Sequence, residues 1–560
     1  MSIHWHSALA NTFWGATSVK AWRRLRAALS NPAEVQQRML FRYIRRNAET
    51  AFGVDNGFRS IRSIRDFQDR VPLRTYDEIE PLTRRIQSGE GCVLTRSPVE
   101  RLVPSSGSTA PAKLVPFTAD LRHEFSRAID AWVLDLFMGA PRLAGGRAYW
   151  SITPAAAFDT DPTPPARGKR AAVPVGFEDD SRYLGGSRQL LAGAVMAVPL
   201  EVGRLHDLDA FRYATALFLL HAGDLRLISV WHPSFLERLI DTIAVHYDRL
   251  LHDMARGSLT PPYSIEPEVA AKLLPLLGPN RRRADLLRRV GPHNVRAIWP
   301  ELALVSCWAD GPARGAAAHL ATRCPGVRIQ PKGLLASEGV VTIPIDSTHP
   351  LAITSHFFEF EGPDGRISLA HELERGCEYS VVLTTGGGLY RYRLGDRVRV
   401  DDVVGRTPSV RFVGRDDRVS DWFGEKLSEG FVACALESLF AGMSTPRFAM
   451  LAPELTSNGL AYTLFVDAEG PDDVRLAEDL DRLLQRNPHY RWCVDLQQLK
   501  PARVVRVGAE ATQAYIDACV ARGQRLGDIK PALLRSETGW ASVLRPSSHL
   551  TSERRIGCRF

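Results

Sequence analysis

Leu389-Tyr390-Arg391-Tyr392-Arg393-Leu394-Gly395-Asp396 alternates apolar and basic side chains and stops on a glycine and an acid. In a strand, Tyr390, Tyr392 and Leu394 share one face, and Arg391 and Arg393 share the other. Salt bridging across a sheet is the expected work of at least one of the arginines. Asp396 stands at the strand end. A carboxylate only accepts hydrogen bonds, which suits the two hydroxyls of a ribose. Just upstream, Gly386-Gly387-Gly388 reads as a turn from another strand over residues 379–385.

Working outward, Pro104-Ser105-Ser106-Gly107-Ser108-Thr109-Ala110-Pro111-Ala112-Lys113 lies between two apolar runs, Leu102-Val103 and Leu114-Val115-Pro116-Phe117. Small residues let the backbone curl around a ligand, and hydroxyls and N–H groups then point inward. That composition suits a polyphosphate; a polar surface hairpin is the competing reading. Ser337-Glu338-Gly339 interrupts two apolar stretches. A single carboxylate there could ligate magnesium, which takes one or two carboxylates plus phosphate oxygens; an exposed glutamate at a strand-end turn is the alternative. Downstream, Gly414-Arg415-Asp416-Asp417 marks a charged turn, and Gly424-Glu425-Lys426-Leu427 reads as the opening of a helix. Lys530 precedes Pro531, so its backbone is pushed towards extended geometry.

The chain has 560 residues, 45% hydrophobic and 24% charged, with a net charge of +8. That is the composition of a globular protein with ample core, on a length that suggests more than one domain. The charge favours anionic ligands mildly. Its densest cluster, Arg281, Arg282, Arg283, Arg288 and Arg289, reads as the solvated face of a helix, so no nucleic-acid partner is expected. The eight cysteines include no Cys-x-x-Cys pair, which argues against zinc and a disulfide framework. The start lacks a signal-peptide pattern, and the longest apolar run, 190–200, is too short for a bilayer. A cytoplasmic monomer without membrane association is expected.

Helical spacing covers 18–50, with Asn31-Pro32 as a helix start, then a pair around Pro72, and residues 121–138, 211–221 and 234–250. Strands fall at 148–152 and 225–230. Residues 154–183, rich in Pro, Asp, Gly and Arg, read as a long loop near the substrate. From 301 the strands become denser. Beyond a boundary at 416–430, strands at 448–451, 461–466 and 502–507 with a helix at 474–484 make a small α+β domain. The fold class is therefore α/β: a large N-terminal domain over 1–422 with mixed sheets and a β-rich portion, and a small C-terminal domain over 423–560.

Taken in order, these stretches resemble the plant-type GH3 acyl-acid amido synthetases and their bacterial relatives, within the adenylate-forming superfamily. The resemblance spans nearly the whole chain and includes Thr50-Ala51-Phe52-Gly53, Val71-Pro72, Tyr76 and Ile298-Trp299-Pro300; its most specific signatures are residues 388–396 and 424–429. It implies ATP and Mg2+, a carboxylic acid and an amino acid as small-molecule substrates, an acyl-AMP intermediate, and a mobile C-terminal domain that acts as a lid. By the same resemblance Ser105, Ser106, Gly107, Ser108 and Thr109 hold phosphates. Ser337 and Glu338 lie at the nucleotide, with Glu338 near the metal, Asp396 binds the ribose, and Arg415 and Lys426 contact the nucleotide. Lys530 is the catalytic lysine. Trp231, His232 and Ser234 stand where the acyl pocket is expected, with core packing and a helix cap at Ser234 as the other reading. Ala110-Pro111 departs from the family's usual Gly or Ser and stiffens the loop. A thiol acceptor, from CoA or a carrier protein, and a nucleotide binder without turnover stay open as alternatives.

Overall fold

The computed structural model describes residues 5–105, 113–152, 173–174, 191, 193–416, 418–468, 472–522, 524, 529 and 531–544. The readings made at Ser106, Gly107, Ser108, Thr109, Ala110-Pro111 and Lys530, and nearly all of the 154–183 loop, lie outside them. The chain divides into two compact units. The first holds Met1–Trp308, Ala321–Leu394 and Val398–Phe412; the second holds Ala309–Leu320, Gly395–Arg397 and Val413–Phe560.

The first unit opens with helices Trp5–Ala28 and Pro32–Arg46, separated at Asn31 with Pro32 in the first turn as the sequence suggests. Helices Ile64–Arg70 and Tyr76–Gln87 flank Pro72, and each begins with a capping box, Ser63 with Asp66 and Thr75 with Glu78. Strands β1 (Val99–Ser105) and β2 (Lys113–Thr118) pair antiparallel out to Ser105 opposite Lys113. Thr118 then caps the long helix Ala119–Gly139, accepting from the Leu121 amide at 3.2 Å.

Behind that helix lies a parallel sheet in the order β3 (Arg147–Trp150), β4 (Leu225–Ser229), β5 (Leu304–Cys307), β6 (Arg328–Pro331). Every residue of β4 and β5 is buried, including Arg226 of β4, as in a parallel sheet covered on both faces. Helices Leu208–His221 and Pro233–Val245 flank β4 along the chain. The single helix expected over 234–250 is two, because the backbone leaves helical angles at His246 (φ −108°, ψ 18°) before helix Tyr247–Arg256 begins. The His246 ring meets the Tyr263 hydroxyl at 3.1 Å. The arginine-rich helix is Arg281–Val290. Four of its five arginines are exposed as expected, but Arg283 turns inward onto the carbonyls of Leu220 and Ile298.

Next come a short hairpin, β7 (Leu335–Ala336) with β8 (Gly339–Val340), and three strands, β9 (Phe357–Glu361), β10 (Ile367–Leu369) and β11 (Glu378–Thr384). With β12 (Tyr392–Val404) and β13 (Thr407–Arg415) the last three form a sheet in the order β10-β9-β11-β12-β13.

The second unit is built on a three-stranded sheet of β16 (Phe448–Thr456), β17 (Gly459–Asp467) and β18 (Leu499–Arg506), after two short strands, β14 (Val419–Ser420) and β15 (Leu427–Ser428). One side of the sheet packs Leu464 and Val466 with Leu476, Leu480 and Leu484 of helix Asp473–Leu484. The other packs Phe448, Met450 and Phe465 with Tyr515, Ile516 and Trp540. Three segments that a single cut of the chain at 422 would leave with the larger part belong here: 309–320, 395–397 and 413–422. Ala309–Leu320 does so because Gly315 approaches the chain at Pro446 so closely that a Cβ would stand 1.7 Å from its carbonyl oxygen, and Arg314 pairs with Glu437 at 2.9 Å. Gly395–Arg397 does so through Asp396, described below. Among the described residues, no helix is long and apolar enough to cross a membrane.

Candidate active site

Ser105 and Lys113 face each other at the base of the β1–β2 connection, and the Leu114 amide donates to the Tyr76 hydroxyl at 2.7 Å. The described residues on either side of the hydroxyl-rich stretch are therefore paired antiparallel strands. Burial raises the Tyr76 phenol above its ordinary value, so it stays protonated at neutral pH.

Ser337 and Glu338 form the two-residue tip of the β7–β8 hairpin, where Ala336 pairs with Gly339. Glu338 is 6% exposed, so the reading of an exposed glutamate at a strand end is corrected. The hairpin is held from behind. A Cβ on Gly339 would lie 2.9 Å from His356 Nε2, which also accepts the Val340 amide at 2.9 Å. With Nε2 accepting, the proton sits on Nδ1 and donates to Glu124 at 3.0 Å. Glu124 in turn accepts from the Tyr43 hydroxyl at 2.7 Å and the Gly386 amide at 2.9 Å. Burial, then the neighbouring Glu124 carboxylate, push the Tyr43 phenol far up, which keeps it a donor. A buried network of this kind stays rigid only when each member is satisfied. It ties the Glu338 hairpin to the glycine turn at 386–388.

The segment that opened the sequence reading is only partly a strand. Arg391 sits at φ 48°, and the strand proper begins at Tyr392. Tyr390, Tyr392 and Leu394 are all buried. Arg393 pairs with Glu361 at 2.7 Å on an exposed face. Arg391 turns inward instead, donating to Glu359 at 3.0 Å and to the carbonyls of Gln68 at 2.8 Å and Val71 at 2.7 Å. Both arginines thus do the structural work expected of at least one.

At the carboxyl end of β4, His232 is the N-cap of helix Pro233–Val245, a role the sequence reading gave to Ser234. His232 Nδ1 accepts from the Ser234 amide at 3.3 Å and lies 2.8 Å from its hydroxyl. Both side chains are buried, and Trp231 is half-buried. One residue of this region escaped the sequence reading. Lys332, directly after β6, places its Nζ 2.5 Å from Ser229 Oγ and over the rings of Trp231 (5.4 Å) and Trp132 (5.7 Å). Burial pulls this ammonium down to about 8. Nothing in Gln330-Pro331-Lys332-Gly333 marks it, because a lone lysine is normally solvated.

In the second unit, Asp396 is 5% exposed and accepts from Arg415 Nη1 at 2.9 Å. The Asp416 amide donates to the Gly395 carbonyl at 2.7 Å, and Arg397 approaches Asp416 at 3.6 Å. Gly395 itself has φ 83°, so the chain turns there as only glycine does readily. Asp396 and Arg415 are thus brought together. Lys426 is exposed, in the left-handed region at φ 45°, with its carbonyl near Asn487 Nδ2 at 3.4 Å. The residue before it shapes this turn: Glu425, fully buried, accepts the amides of Trp422 (2.9 Å) and Phe423 (2.8 Å) and the Tyr462 hydroxyl (2.5 Å). The helix expected to open at 424–427 begins at Glu429, because Ser428 is the residue that caps it, accepting from the Phe431 amide at 3.3 Å. Residues flanking Lys530 are anchored: the Leu451 amide donates to the Leu533 carbonyl at 2.8 Å, and the Leu533 amide to Glu429 at 3.0 Å.

Three family models match the chain in order: the GH3 family N-terminal domain over residues 21–328, the central domain over 349–415 and the C-terminal domain over 431–538. The chain belongs to the GH3 family. Its GH3 relatives include a probable indole-3-acetic acid-amido synthetase of Oryza sativa subsp. japonica. The two are 26% identical over 449 residues, 72% of this chain and 73% of the relative. An indole-3-acetic acid-amido synthetase of Arabidopsis thaliana is 25% identical over 446 residues, 75% of this chain and 73% of the relative. Among solved structures, the GH3.15 acyl acid amido synthetase shares the fold, with a TM-score of 0.77 at 19% identity over 93% of this chain and 95% of the other. The family model boundaries bracket the glycine turn, Asp396 and Arg415 within the central domain.

Proposed function

We propose that this GH3 chain activates a carboxylic acid with ATP as an acyl-adenylate and transfers the acyl group to the amine of an amino acid. The observation that carries the reading is the ordered match of all three family domains, together with relatives named amido synthetases. A carboxylate oxygen attacks the α-phosphorus, the bond to the β-phosphate oxygen breaks, and pyrophosphate leaves. The unprotonated amine then attacks the acyl carbon, and AMP departs as the acyl–oxygen bond breaks. Both substrates of the first step are anionic, so positioning and charge neutralisation matter more than proton transfer.

The roles proposed for this chain's residues follow. Ser105, Ser106, Gly107, Ser108 and Thr109 donate to the phosphates. Asp396, oriented by Arg415, accepts from the ribose hydroxyls. Lys426 contacts the nucleotide. Lys530 neutralises charge on the α-phosphate during the first step. Among the described residues there is no cluster of three or more acidic, histidine or cysteine side chains that could cage a metal. A single buried carboxylate, Glu338, fits magnesium held mainly by substrate phosphates. When bound, that ion would supply further neutralisation of phosphate charge.

The test is ATP–pyrophosphate exchange over a panel of carboxylic acids, with mass-spectrometric detection of products after adding amino acids. An amide is expected. An acyl-CoA formed on adding CoA, with no amide from any amino acid, would replace the amine by a thiol acceptor. Exchange absent across the panel would favour a nucleotide binder without turnover. Lys530→Ala should lower exchange by about a thousandfold with unchanged unfolding, since removing one electrostatic donor typically costs ~10²–10³ in rate; wild-type exchange in that variant would remove the lysine from the mechanism.

A further inference from the structure

The parallel sheet of the first unit ends, at the carboxyl side of its strands, in a concentration of indoles around one lysine. Trp150 closes β3, Ser229 closes β4 with Trp231 two residues on, and Cys307 closes β5 with Trp308 next. Lys332 follows β6, and its own amide extends the ladder by donating to the Cys307 carbonyl at 2.9 Å. Its side chain crosses above β5 to reach Ser229 Oγ on β4. Trp132 arrives from helix Ala119–Gly139, fixed by its Nε1–H donating to Gln330 at 3.1 Å and by edge contact with Trp150 at 5.7 Å. Open parallel sheets bind ligands outside the carboxyl ends of their strands.

The lysine has capacity to spare. An ammonium carries three donors. One is spent on Ser229, the two indole faces stabilise the charge without consuming a donor, and Lys332 makes no ion pair with any described carboxylate. Lys332, Trp150 and Trp231 are each partly accessible to solvent, while burial is strong enough to pull the ammonium down.

We infer that Lys332, steadied by Ser229, is the residue that holds the carboxylate of the acid substrate, with the apolar body of that acid against Trp132 and Trp231. An amino acid fits this place poorly, since its ammonium would face the lysine beside it. The inference rests on reading the chain as an acid-activating enzyme and assigns the residue that takes the acid's carboxylate.

Direct binding by calorimetry, on the full chain without ATP, tests it with matched pairs: indole-3-acetate against indole-3-acetamide, and benzoate against benzamide. The wild-type chain should prefer the carboxylate of at least one pair. Lys332→Met should weaken that carboxylate by about thirtyfold, the usual scale for removing one partner of a desolvated charge contact, and leave the amide within about threefold. Ser229→Ala should shift the same preference by a smaller factor, which keeps the test open if Lys332→Met does not fold. Equal losses for acid and amide, an unchanged carboxylate affinity in Lys332→Met, or a wild-type chain that prefers neither carboxylate would each overturn the inference. No turnover is needed, so the two readings fail separately. Carboxylate preference lost with Lys332 but no pyrophosphate exchange keeps the subsite and removes adenylation. Exchange that survives with no role for Lys332 does the opposite.

Discussion

Arg391 and Lys332 are both cations set into the first unit, and they are held in opposite ways. Arg391 meets a carboxylate, Glu359, and two carbonyls, of Gln68 and Val71, and is 5% exposed. Its donors are engaged by the fold, and they tie the segment around residue 70 to the start of β12. Lys332 meets a hydroxyl and two aromatic faces, with no described carboxylate. A buried charge that is fully paired belongs to the architecture; one left with unfilled donors costs stability that an apolar residue would not. The difference separates a clamp from a binding group, although the sequence draws attention to the first and passes over the second.

Three substitutions can break or sharpen this contrast. The largest effect on stability is expected from Arg391→Met, which leaves the buried Glu359 carboxylate without its cation and with only the Gln68 amide as donor. Chemical denaturation should show a loss of about 3–5 kcal/mol, and a loss as small as that of an exposed pair such as Arg393–Glu361 would end the clamp reading. Next is Gly339→Ala. The added Cβ would meet the His356 ring, so the hairpin carrying Glu338 must shift, at a cost of about 1–3 kcal/mol. If instead the variant melts like wild type, the Glu124–His356–Tyr43 network does not constrain that hairpin.

The smallest effect concerns Lys332 and carries a sign. Its ammonium is pulled down to about 8 from 10.5 by burial. Between those values the unfolded chain binds more protons than the folded one, so stability rises with pH across that window. Below about 8 the folded state carries the desolvated charge and the gain is lost. Lys332→Met should therefore be the more stable protein at pH 7, on the order of 1 kcal/mol once partial solvent access is discounted. The difference should shrink as pH rises towards 10.5. Thermal melts of both proteins across pH 7 to 10.5 read it directly; a variant less stable at pH 7 would make Lys332 a structural residue.

Much of the fold was legible because periodicity and caps are local. Asn31-Pro32, the turn around Pro72, the strand at 225–230 and the Asp473–Leu484 helix all appear where the spacing puts them. Errors arose where a distant partner decides. The helix over 234–250 breaks at His246, whose ring meets Tyr263, and Arg283 leaves its solvated face for the carbonyls of Leu220 and Ile298. In the site, Glu338 and Asp396 drew attention as isolated acids beside glycines. His232, not Ser234, proved to be the cap, and spacing alone cannot say which of two neighbouring polar residues turns back onto the helix.

The sequence by itself determined the α/β class, the order of the elements and the family, since these rest on local pattern and on motifs read along the chain. Tertiary structure decided which charges are spent. That Arg391 is consumed by Glu359 and backbone carbonyls, and that Lys332 reaches a serine two strands away between two indoles, depends on residues about 30 to 320 positions apart. Burial and hydrogen-bond partners are properties of such long-range contacts. No spacing within either segment encodes them.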